Sequence, residues 1–177
     1  MDMMHTLAEL TAAYGPSGME KGVAGVIEKI AASYCDEVTY DVMGNLFCHR
    51  KGSGPRVMFA AHMDSIGLVA THIDDKGFVH VGAHGVVCAD EGSELAKLKL
   101  SDLFIDVGAA SRDEAERLIR VGDTAVYDTR LAEAGDRAVS PYMDNRVSCL
   151  VLLMAMERIS QTENDLYFVF TTQEEVG

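Results

Sequence analysis

The chain has 177 residues, 48% hydrophobic and 24% charged, the make-up of a water-soluble globular protein with one large or two small cores. A formal net charge of -13 and an isoelectric point near 4.7 exclude a surface built for nucleic acid or an anionic membrane, because both need clustered Lys and Arg. Met1-Asp2-Met3-Met4-His5 has no basic region leading into an apolar one, and no run approaches the roughly 20 apolar residues of a membrane span, so a cytoplasmic location is expected.

Residues 3–14 predict a helix stopped by Gly15-Pro16. Ser17-Gly18-Met19-Glu20 has the Ser-x-x-Glu form of a capping box, and Val23, Ile27, Ile30 and Ala31 give the next segment an apolar stripe, predicting a second helix that ends near Ser33. Residues 38–41 and 46–50 predict two strands joined by Met43-Gly44-Asn45. Residues 57–61 then predict a buried strand that delivers His62 and, two residues on, Asp64. Because side chains alternate along a strand, the two share a face: if one ring nitrogen binds a metal, Asp64 can hydrogen-bond the other or bind metal itself. Helix, hairpin and buried strand in that order imply an α/β layer.

Beyond Asp64 the pattern changes to short alternating strands at 66–73, 78–81 and 86–88, with a hairpin turn at Asp74-Asp75-Lys76-Gly77. A strand at 104–107, a helix capped at Ser111 and running to about Arg120, and a strand at 124–128 follow. Residues 66–128 therefore read as a β-rich, barrel-like domain inserted between 1–65 and 129–177. Residues 147–159 predict a helix that is apolar on every side over 150–156 and hence buried, with Asp144 just before it, where an ordinary N-cap is the plain structural role. Residues 165–172 predict a central strand covered on both faces, running into Gln173-Glu174-Glu175.

Two adjacent carboxylates at the end of a buried strand have no packing explanation. Imidazole and carboxylate donors without thiolate suit zinc, manganese or cobalt, and two neighbouring metals need a bridging carboxylate, for which Asp144 is the candidate. Adjacent glutamates on an extended segment point different ways, so one could ligate and the other could reach an attacking water. Cys35, Cys48, Cys88 and Cys149 lack C-x-x-C spacing, which argues against a disulfide scaffold or a zinc finger. The other histidines read as surface or satisfied residues: His5 on a helix, His49, His72 and His80 on strands, and His84 in a loop.

The segments Ala61-His62-Met63-Asp64-Ser65-Ile66-Gly67, 73–78, 102–109, Met143-Asp144-Asn145-Arg146 and Thr172-Gln173-Glu174-Glu175-Val176-Gly177 together resemble the glutamyl aminopeptidase and tetrahedral-aminopeptidase family, whose members are sometimes labelled cellulases. The resemblance implies a mixed-sheet α/β catalytic domain, interrupted by a small β-rich domain used in homo-oligomerisation, from dimer up to dodecamer. It implies aminopeptidase activity on peptides through two divalent metals, zinc with cobalt or manganese as alternatives. His62 would ligate one metal, Asp64 would orient it, Asp144 would bridge, Glu174 would be the general base and Glu175 would ligate the other metal. It further implies a cis Asp144-Asn145 peptide. The family pattern continues past the Gln-Glu-Glu-Val-Gly motif to a further aspartate and histidine, and it is fuller around residues 81–85; without those two ligands each metal is one short, so weak metal binding and little activity are expected of these 177 residues. The alternatives are a binding or assembly module, and a glycoside hydrolase, which would need two carboxyl groups facing each other across the scissile bond and would leave His62 without a role.

Overall fold

A computed structural model describes residues 1–84, 103–128, 130–159 and 161–177. In chain order the elements are α1 (Met3–Ala12), α2 (Lys21–Ala31), β1 (Glu37–Tyr40), β2 (Leu46–Arg50), β3 (Arg56–His62), β4 (Gly67–Ile73), β5 (Val79–His84), β6 (Phe104–Ile105), α3 (Arg112–Ala115), β7 (Thr124–Ala125), β8 (Ala132–Ala134), β9 (Arg137–Val139), α4 (Met143–Arg158) and β10 (Asp165–Thr171). They fall into two compact units, one of Met1–Ser65, Asp128–Glu175 and Gly177, the other of Ile66–Tyr127 and Val176.

The first unit is a mixed α/β layer. Its sheet runs β1-β2-β10-β3, antiparallel except for the parallel pair β10 and β3. Alternation along β10 sends Leu166, Phe168 and Phe170 to one face, where they join Leu46 and Cys48 of β2 and Ala61 of β3 in a core with Leu7 and Leu10 of α1, Val23 and Ile27 of α2, and Leu150, Leu153 and Met156 of α4. Each Leu, Ile, Val, Phe or Met among them, fully buried, contributes about 1.5–3 kcal/mol, which is what holds three helices on the sheet.

The second unit carries an antiparallel sheet ordered β6-β5-β4-β7, over a small core of Ala70, Ile73, Val79, Val81 and Ala115. The α3 N-terminus is capped as expected, the Ser111 hydroxyl accepting from Glu114 N–H, but the helix closes after one turn at Ala115. The strand expected at 86–88, like Cys88 and Gly85, lies outside the described residues. The backbone of His84 ends β5 and is not in a loop.

Other expectations change in the first unit. The strand at 57–61 is not buried: β3 is hydrogen-bonded only to β10 and forms the sheet's edge among the described residues, leaving Met58 67% and Phe59 42% exposed. Its apolar composition says what the side chains are, not which neighbour covers them. Likewise β10 is covered by helices on one face, while Tyr167 on the other is only half-buried and stacks on His49 at 4.1 Å. The helix at 147–159 is not buried all round either, since Val151 is 58% exposed. A hairpin that the sequence did not suggest, β8 and β9, turns at Gly135, whose φ of +67° favours glycine. No helix among the described residues is long and apolar enough to cross a membrane.

Candidate functional site

The parallel register of β3 and β10 builds the site. His62 pairs with Thr171, and Met63 N–H donates to Thr171 O at 2.8 Å, so the two strands end side by side at their C-terminal edge. The segments that leave it, Met63-Asp64 and Thr172-Gln173-Glu174-Glu175, emerge next to each other, at the end of parallel strands where open α/β sheets hold ligands. Asp144 arrives from a third direction: the residues that open α4 are non-helical at Asp144 and Asn145, and the peptide between them is cis.

Four carboxylates gather round one imidazole. His62 Nε2 lies 3.1 Å from Asp144 Oδ1 and 3.8 Å from Glu174 Oε2, and His62 Nδ1 lies 3.3 Å from Asp64 Oδ1. The last contact is close but poorly aligned, and Nδ1 has no hydrogen bond although it is buried. His62, Glu174 and Glu175 each place a donor atom within 4.8 Å of the others. Asp144 joins this set through His62.

Asp64 is the part that is out of solvent altogether, with no exposed surface. Its Oδ1 accepts Glu174 N–H at 3.1 Å and its Oδ2 accepts Glu175 N–H at 3.1 Å, while Ser17 Oγ donates to Oδ2 at 2.6 Å. The two amides explain a departure from expectation: Glu174–Val176 is a short 3-10 turn rather than an extended segment. A carboxylate accepting both first amides of a turn favours that turn, as an acid at any helix start does. The turn swings both glutamate side chains toward His62, and Gln173 before it takes the left-handed φ of +57°.

Two further readings give way. Ser17 and Glu20 do not form a capping box on α2, whose first turn receives no side-chain cap. Ser17 spends its hydroxyl on Asp64, and Glu20 Oε1 accepts Gly18 N–H at 2.7 Å and Gln173 N–H at 3.1 Å. Among the described residues Asp144 caps no helix end; its carboxylate meets His62 instead. Ser17 was missed as a neighbour of the site because the pattern that carries it is spelled the same whether the hydroxyl caps a helix or reaches 47 residues along the chain.

The electrostatics call for a cation. Among the described residues, His62 is the ion-pair partner of Asp64, Asp144 and Glu174, and no Lys or Arg pairs with any of them. Burial pushes the Glu175 carboxyl above its ordinary value, His62 opposes that, and Asp144, Asp64 and Glu174 raise it further. An imidazole with convergent carboxylate oxygens and no thiolate is a donor set for zinc, cobalt or manganese. The residues present fit a metal.

Residues 44–90 and 82–177 match the M42 glutamyl aminopeptidase family. The chain belongs to that family. Among M42 relatives, a putative aminopeptidase of Acetivibrio thermocellus is 37% identical over 99% of this chain and 60% of its own length. The aminopeptidase APDkam598 of the archaeon Desulfurococcus kamchatkensis superposes with a TM-score of 0.90 at 36% identity, over 99% of this chain and 57% of that one. A Pyrococcus horikoshii TET1 peptidase, described as assembling into a tetrahedron or a large octahedral shell, superposes with a TM-score of 0.87 at 26% identity, over 99% of this chain and 62% of that one. The chain thus spans about three fifths of the length of these relatives. The M42 match bears out the resemblance seen in the His62, Asp144 and Glu174-Glu175 segments.

Proposed function

We propose that this chain forms part of a metal-dependent aminopeptidase that removes N-terminal residues from peptides. The observation that carries the reading is the convergence of His62, Glu174 and Glu175 donor atoms within 4.8 Å, with Asp144 Oδ1 3.1 Å from the same His62 nitrogen. His62 Nε2 and Glu175 would each hold one divalent ion, zinc or in its place cobalt or manganese, and Asp144 would be shared between them. Two such ions supply Lewis-acid polarisation of the scissile carbonyl and a water of lowered pKa.

The chain's own residues supply the rest. Asp64 faces His62 Nδ1 at 3.3 Å, from where its charge would orient the ring, and it fixes the Glu174–Val176 turn through its amides. Glu174, 61% exposed at its side chain and hence open to substrate, takes a proton from the attacking water and returns it to the departing amine. The acidic cluster would also attract the protonated N-terminus of a peptide.

The same reading makes residues 66–128 an inserted module for homo-oligomer assembly, and the protein a cytoplasmic peptidase that needs neither nucleic acid nor membrane. The TET1 assemblies and the separate compact unit Ile66–Tyr127 support the first of these. The test is hydrolysis of aminoacyl-anilides and short peptides by the protein with and without a chelator, alongside metal stoichiometry. Chelator-sensitive release of the N-terminal residue is expected of the enzyme this chain forms part of, with weak metal uptake and little turnover by these 177 residues alone; hydrolysis indifferent to chelator would overturn the reading.

A further inference from the structure

The Asp64 carboxylate depends on a side chain that lies outside the donor set. Among the described residues it accepts three hydrogen bonds: two come from backbone amides of the Glu174–Val176 turn, and the third and shortest comes from Ser17 Oγ at 2.6 Å. Ser17 is itself buried and sits in a loop strapped to the residue after Asp64. Ser65 N–H donates to Gly15 O at 3.0 Å, Ser65 Oγ donates to the same oxygen at 3.2 Å, and Ser17 N–H donates to Ser65 O at 3.3 Å. Gly18, at a φ of +81°, reverses the chain so that the buried Glu20 carboxylate can take Gln173 N–H at 3.1 Å. The loop from Gly15 to Glu20 therefore grips Asp64 on one side and the residue before Glu174 on the other.

We propose that Ser17 is a positioning residue of this site, acting through Asp64. The terminal torsion of an aspartate is broad, so a carboxylate is not confined to one rotation by its own rotamer preference. The Ser17 hydroxyl confines it: with Oδ2 committed to Ser17 and Glu175 N–H, Oδ1 is left to face His62 Nδ1 and Glu174 N–H. One hydroxyl thereby sets the tilt of the imidazole and the angle of the turn that carries both glutamates. The proposal rests on the metal-holding reading above, and a purely structural role for Ser17, tying down a loop, is the competing account.

The test uses cobalt(II) as the probe, because its visible spectrum reports ligand geometry independently of turnover. Ser17→Ala is expected to weaken cobalt(II) binding by about 10- to 100-fold, the usual cost of losing a partner behind a ligand, and to shift the visible bands. Peptide hydrolysis should fall mainly in kcat, and Ser17→Thr, which keeps the hydroxyl, should recover affinity and spectrum. Thr11→Val serves as control, since Thr11 Oγ1 donates to Leu7 O at 3.0 Å inside α1; it should lower stability and leave the spectrum alone. If Ser17→Ala fails to fold, Ser17→Cys, of similar size and a weak donor, should show an intermediate loss. Wild type that binds cobalt(II) while Ser17→Ala or Ser17→Cys matches it in affinity and spectrum overturns the Ser17 proposal alone. Wild type that takes up no cobalt(II) overturns the metal-holding reading and the Ser17 proposal with it.

Discussion

His62 Nε2 and Asp144 Oδ1 stand 3.1 Å apart although 82 residues separate them in the chain. The histidine ends an edge strand and the aspartate stands before a helix, so neither element alone requires the meeting. Substitution of Asp144 by Asn keeps the size and one acceptor oxygen but removes the charge that faces His62. Asp144→Asn is expected to cost at least the roughly 10- to 100-fold in divalent-metal affinity that loss of a partner behind a ligand costs. Titration against a competing chelator measures this, and an unchanged affinity would remove Asp144 from the donor set.

Glu174 and Glu175 are neighbours with separable tasks. Glu174→Gln is expected to keep most of the metal and to lose about 10² to 10⁴ in the rate of aminoacyl-anilide hydrolysis, because an amide cannot take a proton from water. Glu175→Gln is expected to lose metal first and activity as a consequence. Metal content and kcat measured on both variants decide between them; wild-type turnover by Glu174→Gln would defeat the assignment of a general base.

Addition of metal should register as stability. An ion present at about 100 times its dissociation constant stabilises the folded chain by about 2.7 kcal/mol. Urea midpoints with and without zinc are expected to differ accordingly, and the difference should vanish in His62→Ala. A zinc effect that survives that substitution would place the metal elsewhere.

Far from this site, Asp165 ties three strands together. His49 Nε2 on β2 is 2.6 Å from its Oδ1, Gly52 N–H donates to the same oxygen at 3.3 Å, and Arg56 Nε on β3 is 3.3 Å from Oδ2. The His49 hydrogen bond leads in holding this carboxyl below its ordinary value of 3.8, against the opposing effect of burial. A carboxyl depressed in the folded state binds its proton more weakly there than in the unfolded chain. Its contribution is thus fully present above the ordinary value and is lost as pH falls through the folded one. Asp165→Asn should be less stable than wild type near neutrality, with the gap closing below about pH 4. Denaturation midpoints across that range would contradict this if the gap stayed constant.

How much could be read beforehand follows from what each residue needs to say. His62, Asp144 and Glu175 were legible as a group because each ends or precedes an apolar element with a ligand-type side chain. Strand β2 was legible to the residue, since the run Leu46–Arg50 is bounded by the turn residues Met43-Gly44-Asn45 before it and Lys51-Gly52-Ser53-Gly54-Pro55 after it. The exposure of Met58 on β3 was not, because apolarity identifies a strand without naming its neighbours. The 3-10 turn at Glu174 was hidden for a related reason: what bends it is Asp64, 110 residues away, and nothing local to the turn records that. Strands β8 and β9 are three residues each, too short for alternation to register, although Gly135-Asp136 between them is a turn signal.

Arg146 closes the list of residues on which this arrangement depends. It follows Asp144-Asn145 directly and is fully buried, with burial pushing its guanidinium down to about 10. Its two terminal nitrogens donate to the carbonyls of Leu10, Ala13 and Gly15, the last two at 3.2 and 3.4 Å. It thereby ties the start of α4 to the end of α1 and to the loop that carries Ser17. Arg146→Met would remove the cation and leave the Leu10 and Ala13 carbonyls without that partner, whereas Gly15 O keeps its bonds from Ser65; at about 1–3 kcal/mol for each left unsatisfied, a loss of about 2 kcal/mol or more is expected. Arg146→Lys should recover only part of it, because one ammonium cannot reproduce the planar fork that reaches three acceptors. Urea denaturation of the metal-free protein measures both, with a loss below about 1 kcal/mol for Arg146→Met counting against the account. Zinc affinity should fall in Arg146→Met as well, because the loop bearing Ser17 and the residues bearing Asp144 lose the same anchor.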